Sequence, residues 1–162
     1  MRARLAASAA LLALVLGGTT GCTFITAQAT TNHYDPSDGI GTTIGEIQVR
    51  NAMLLTGDGT TASLLINLAN DSKVGVDVKL QYENADKTKV NGSVYVNAGD
   101  VTSIGAADAK KFVLSGIDAP AGSLFPVYIQ YDDVTGKQLW IPVLDNREAQ
   151  YADLLPSSTP TP

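Results

Sequence analysis

What this chain lacks narrows its chemistry before any pattern is read. One cysteine, Cys22, leaves nothing to pair with, so no disulfide can form within the chain. One histidine, His33, is too few for most histidine-built metal centres. Lysine and arginine number 11 against 16 acidic residues and form no run longer than Lys110-Lys111, whereas phosphate backbones are held by clustered cations, so no nucleic-acid partner is expected. Two of those cations, Arg2 and Arg4, stand at the extreme N-terminus, and without them the excess of acid is larger still. At 162 residues the chain is long enough for one domain with a real core and short for two.

The motifs of common enzyme classes are missing as well. There is no G-x-S-x-G elbow, no H-E-x-x-H, and no glycine-rich loop followed by Lys-Ser or Lys-Thr. Nucleophilic catalysis needs a base beside its nucleophile, and His33 falls in a segment with no core-forming pattern. Asp132 and Asp133 are adjacent and read as turn residues, because neighbours in a strand or turn point different ways. Residues 35–39, Asp-Pro-Ser-Asp-Gly, read as a capped turn without calcium-loop spacing. The sequence therefore predicts neither an enzyme nor a cofactor or metal site.

What is present begins with a targeting signal. Arg2 and Arg4 precede an almost purely Ala, Leu and Val run over residues 5–16, followed by small residues and Cys22. A charged start, a short apolar run and a small-residue exit are the parts of a secretory signal, and the run is shorter than the ~20 residues a membrane span needs. Gly21-Cys22 resembles the bacterial lipobox, in which a cysteine after glycine receives a diacylglyceryl group; Thr19 departs from the aliphatic residue usual two places earlier. The resemblance implies cleavage before Cys22, lipidation of that residue and anchoring at the extracytoplasmic face of a membrane. A lone free thiol would otherwise be a liability in an exported protein.

Four segments are expected: a signal peptide (1–21), a lipidated cysteine with a flexible tether (22–42), a β-sandwich body (43–145) and a terminal stretch (146–162). The tether is rich in Thr, Ala, Gln, Asn and Asp and has no apolar period. The last stretch holds a short turn or helix and then a Pro/Ser/Thr tail. In the body, apolar residues alternate with polar ones, the mark of half-buried strands. The longest alternation sets Val74, Val76, Val78, Leu80 and Tyr82 inward and Gly75, Asp77, Lys79, Gln81 and Glu83 outward. Leu64-Ile66-Leu68, Val127-Ile129-Tyr131 and Leu139-Ile141-Val143 repeat the pattern, with weaker signals at 47–55, 94–96 and 112–114. Pro126 and Pro142 belong at strand starts or edges, where no ladder donor is missed. About seven strands in about 100 residues predict an all-β, antiparallel two-sheet sandwich of cupredoxin or immunoglobulin type. Trp140 is out of phase with its buried neighbours, so with Tyr128 it forms a candidate interaction surface, open to solvent or to an envelope protein.

The second half of the body resembles the PCu(A)C family of periplasmic copper chaperones. The similarity lies in Phe112-Val-Leu-Ser-Gly-Ile-Asp-Ala-Pro, Pro126-Val-Tyr-Ile-Gln-Tyr-Asp and Trp140-Ile-Pro-Val143, with Ala62-Ser-Leu-Leu-Ile-Asn-Leu-Ala-Asn70 upstream. The chain is also similar to small actinobacterial envelope lipoproteins of unassigned role. The resemblance implies a cupredoxin-like sandwich and, in the family, copper held by two histidines and two methionines. At the family's His-x-Met this chain has Lys111 and Val113, and residues 54–162 contain neither histidine nor methionine. Copper(I) selects thioether and imidazole donors. The expectation is a membrane-held binding or structural module of the cell envelope, with a copper chaperone as the alternative.

Overall fold

The computed structural model describes residues 2–18 and 37–156. Arg2–Gly18 form one α-helix, α1, in a unit separate from the body. Among the described residues no helix is long and apolar enough to cross a membrane.

The body is built from nine strands: β1 (Ile40–Ile44), β2 (Ile47–Thr56), β3 (Thr61–Asn70), β4 (Val76–Glu83), β5 (Lys89–Val96), β6 (Val101–Ile104), β7 (Phe112–Ser115), β8 (Leu124–Tyr131) and β9 (Lys137–Leu144). Their hydrogen-bonded order is β5-β4-β8-β9-β2-β3-β6, with β1 added to β2 and β7 to β3. The result is a barrel-like sandwich: one layer is β5-β4-β8-β9, the other is built on β2 and β3. The strands are not antiparallel throughout. β9 ends by pairing in parallel with β2, Leu54 opposite Val143 and Leu55 opposite Leu144, and so stitches the two layers at one corner.

Alternation places the core as expected on β4, β8 and β9. Val76, Val78, Leu80 and Tyr82 are buried while Asp77, Lys79 and Glu83 are exposed. Val74 is a correction: it is 64% exposed and precedes the strand. Its carbonyl accepts hydrogen bonds from the Asn70 amide (2.8 Å) and the Ser72 hydroxyl (2.8 Å), which hold it in the turn. Pro126 lies where β8 is paired with β9 only, since β4 joins at Tyr128, so the β4–β8 ladder requires no N–H from it.

β2 is buried on both faces, and a bulge explains its irregular pattern. The register of β2 against β3 shifts between Arg50 and Met53, and Asn51 takes φ 50°, a left-handed conformation asparagine tolerates. The extra residue moves the inward phase from Ile47 and Val49 to Ala52 and Leu54, which share one core. Met53 and Leu55 then face the opposite side, where Tyr151 completes a second cluster against Leu65, Leu144, Leu154 and Leu155. Residues 146–156, carrying a 3₁₀ turn at Ala149–Tyr151, thus form a strap over the outside of the second layer. The sandwich also starts earlier than expected, because β1 claims Ile40, Gly41 and Thr42 from the stretch assigned to the tether. The period-two pattern likewise does not predict β6, because only Ile104 of its four residues is buried.

Two tyrosines lock the layers together. The Tyr82 hydroxyl on β4 accepts the Ser115 N–H of β7 (3.0 Å), and the Tyr131 hydroxyl on β8 accepts the Glu46 N–H between β1 and β2 (2.9 Å). Tyr131 can reach there because Gly45 leaves room; a Cβ at that position would lie 2.2 Å from its oxygen.

Candidate functional site

The layer β5-β4-β8-β9 has an outer face open to solvent, and its side chains follow from strand phase. β8 sends Leu124, Pro126, Tyr128 and Gln130 outward, and β9 sends Gln138, Trp140 and Pro142. Cross-strand register sets Leu124 opposite Pro142, Pro126 opposite Trp140 and Tyr128 opposite Gln138. On the other flank Tyr128 is opposite Gln81 of β4, which is opposite Asn91 of β5. A strip therefore runs from apolar to amphipathic to amide side chains.

Both residues singled out in the sequence lie on this face. Trp140 is 55% exposed, and Tyr128 is half-buried on the neighbouring strand, one diagonal step away. Tyr128 lies across the start of the β8–β9 hairpin, where a Cβ on Gly136 would fall 2.6 Å from its ring. Leu124, at 59% exposure, extends the apolar end. Sequence reasoning missed Leu124 and Pro126, because only the strand register shows that they adjoin Trp140.

Beside this strip is a depression of about 560 Å³ lined by Gln81, Tyr82, Glu83, Lys89, Pro126, Tyr128 and Gln138. Its polar walls are partly preset: the Gln81 amide donates to the Asn91 carbonyl oxygen at 2.6 Å, and Glu83 pairs with Lys87 at 3.3 Å. The Gln138 side chain and the Tyr128 hydroxyl make no hydrogen bond among the described residues. Outward from β4 and β5, Asp77 and Glu83 are matched by Lys79 and Lys89, so the face is balanced in charge although the chain is acidic.

A second depression, about 570 Å³, lies along the strap and includes Asp38, Asp145, Arg147, Glu148 and Tyr151. The Tyr151 hydroxyl donates to Asp38. Burial, reinforced by the Asp38 carboxylate, raises the Tyr151 pKa above 10.0. Asp145 is held below the usual carboxylate range by the Arg147 guanidinium, which donates to it at 2.6 Å. Asp58 is lowered in the same direction by the Thr60 and Thr61 N–H groups that its carboxylate accepts. These contacts close loops and bring no nucleophile together with a base.

The remaining sequence candidates are dispersed. Asp132, at φ 42°, and Asp133 are exposed in the β8–β9 turn. Lys111 and Val113 are exposed at the start of β7, and Met53 is buried under the strap. Among the described residues no group of three or more His, Cys, Asp or Glu side chains converges as a metal site would require. Cys22 and His33 lie outside the described residues, as do Asp35 and Pro36 of the expected capped turn. No family model, curated protein or solved structure matches this chain.

Proposed function

We propose that this chain is an extracytoplasmic lipoprotein, held in the membrane through diacylglyceryl-Cys22, whose β-sandwich body is a binding or structural module of the cell envelope rather than an enzyme. The observation that carries the reading is the open face around Trp140. A tryptophan 55% exposed, flanked in register by Pro126 and near an exposed Leu124, is costly to leave in water unless it contacts something. The N-terminal pattern through Gly21-Cys22 supports the anchor, and the segment from Cys22 to Ile40 would set the body off from the bilayer. The layered all-β body is compatible with a cupredoxin- or immunoglobulin-like class.

A copper chaperone, the alternative drawn from the PCu(A)C resemblance, finds no donors at the matching positions: Lys111 offers a cation and Val113 no donor atom. The test of the preferred reading is photo-crosslinking in intact cells. A photoreactive residue at Gln138 should capture an envelope component, and one at Thr102, on the other layer, should not. Capture from neither position, or equally from both, would remove the basis for a contact face here.

A further inference from the structure

The outer face of β5-β4-β8-β9 has a chemistry more specific than general stickiness, and this inference rests on the contact-face reading above. Its apolar part is a flat indole, Trp140, beside a proline ring, Pro126, with the exposed Leu124 at its edge. Its polar part is made of amides and phenols: Gln81, Asn91, Gln138 and Tyr128, with the exposed Tyr95 farther along β5. The outward charges of β4 and β5 cancel, so nothing on the face selects an ion.

The geometry points to a binding site for an uncharged polysaccharide chain. Pyranose rings present a face of C–H groups that packs on an aromatic plane, while their hydroxyls both donate and accept hydrogen bonds. Amide side chains offer both functions at once, and the Tyr128 hydroxyl does the same. The Gln81–Asn91 bond, donated by the Gln81 amide, turns the Gln81 carbonyl oxygen and the Asn91 NH₂ to a ligand as an acceptor–donor pair. From Asn91 on β5 to Trp140 on β9 there are three strand spacings, about 14 Å at ~4.8 Å each, room for a short run of sugar rings laid across the strands. Trp140 is the stacking platform at one end, and the 560 Å³ depression between Glu83, Lys89 and Gln138 receives the hydroxyl groups at the other. A phosphate-rich polymer would need clustered cations, and an acyl chain an enclosed apolar channel. Among the described residues, the outward lysines of β4 and β5 are matched by acids and the depression on this face is lined mostly by polar side chains.

Trp140 is the only tryptophan, so its fluorescence reports on this face alone. The full chain carrying Cys22→Ser is titrated with cellohexaose, hexa-N-acetylchitohexaose and xylohexaose, and with the polyanion polygalacturonate for comparison. A saturable blue shift with at least one neutral hexasaccharide in the sub-millimolar range is expected, with none for polygalacturonate. Gln138→Ala should weaken that binding about three- to tenfold, the loss of one hydrogen bond, while Thr102→Ala leaves it unchanged. A shift that depends on protein concentration without sugar would mean that a second copy covers the face, and would overturn the proposal. So would the absence of a shift with all three oligosaccharides. If crosslinks from Gln138 nonetheless capture an envelope protein, the contact-face reading survives and only the sugar is wrong; if neither occurs, both fall.

Discussion

Cutting the chain after Asn146 should cost the body much of its stability, although the sequence reads the residues beyond as peripheral. The strap carries Tyr151, Leu154 and Leu155 onto Met53 and Leu55, which are 1% and 0% exposed. Fully burying one such side chain contributes about 1.5–3 kcal/mol. Losing the strap uncovers one side of both, and Leu65 and Leu144 in part. The loss is therefore about 2–4 kcal/mol, a large share of the ~5–15 kcal/mol total typical of a domain. Urea unfolding followed by far-ultraviolet circular dichroism reads this directly: the midpoint should fall and the truncated protein should bind a hydrophobic dye. A gentler variant separates the strap's polar clasp from its apolar contacts. Tyr151→Phe keeps the ring and removes only the hydroxyl that donates to Asp38, so about 1 kcal/mol should be lost. The sign of the pH dependence follows from the raised pKa of Tyr151, since the fold favours the neutral phenol. That contribution is intact below the ordinary tyrosine value near 10 and is lost as pH rises through the folded value. The wild type should thus lose its advantage over Tyr151→Phe in alkali. Equal urea midpoints for the truncated and complete chains would refute the reasoning, because the second cluster would then be no part of the fold's support.

Three further outcomes follow from the same reading. Val76→Asp places an unpaired charge at a buried position on β4 and should unfold the body, a cost of several kcal/mol, whereas the exposed Lys79→Asp should change stability by about half a kcal/mol or less; equal effects in thermal melts would contradict the register. Cys22→Ala should leave the protein uncleaved or release it from membranes, and mass spectrometry showing an unmodified mature N-terminus elsewhere would end the lipoprotein reading. Under reducing conditions the chain should not outcompete a Cu(I) chelator; one-to-one binding lost in His33→Ala would put the site in the segment before the body and restore the copper chaperone.

Legibility in the sequence tracked how many faces of a strand are covered. β4, β8 and β9 bury one face and wet the other, so period-two alternation located them and put Trp140 outside. β2 meets the main core on one side and the strap on the other, and its bulge at Asn51 resets the phase midway. A single alternation cannot describe such a strand. β1 and β6 are short and mostly Thr, Ser and Gly between their apolar ends, so their pairing comes from neighbours rather than from pattern. The strap's apolar residues, Tyr151, Leu154 and Leu155, fit no strand period, and their function as a cover depends on Met53 and Leu55 facing away from the main core. At the candidate site, Trp140 and Tyr128 were legible from phase. Leu124, Pro126, Gln81 and Asn91 required the register between four strands, which no single stretch encodes.

The central claim is that the face around Trp140 meets a partner in the envelope. Because the chain has one tryptophan, growth with fluorotryptophan places a single fluorine label on that face, read by fluorine NMR of the Cys22→Ser protein. Detergent-solubilised envelope from the same cells should broaden or shift the resonance, and the effect should weaken when Gln138→Ala carries the label. A resonance that stays sharp and unmoved at saturating extract would contradict the account, leaving Trp140 a solvent-side residue of the sheet.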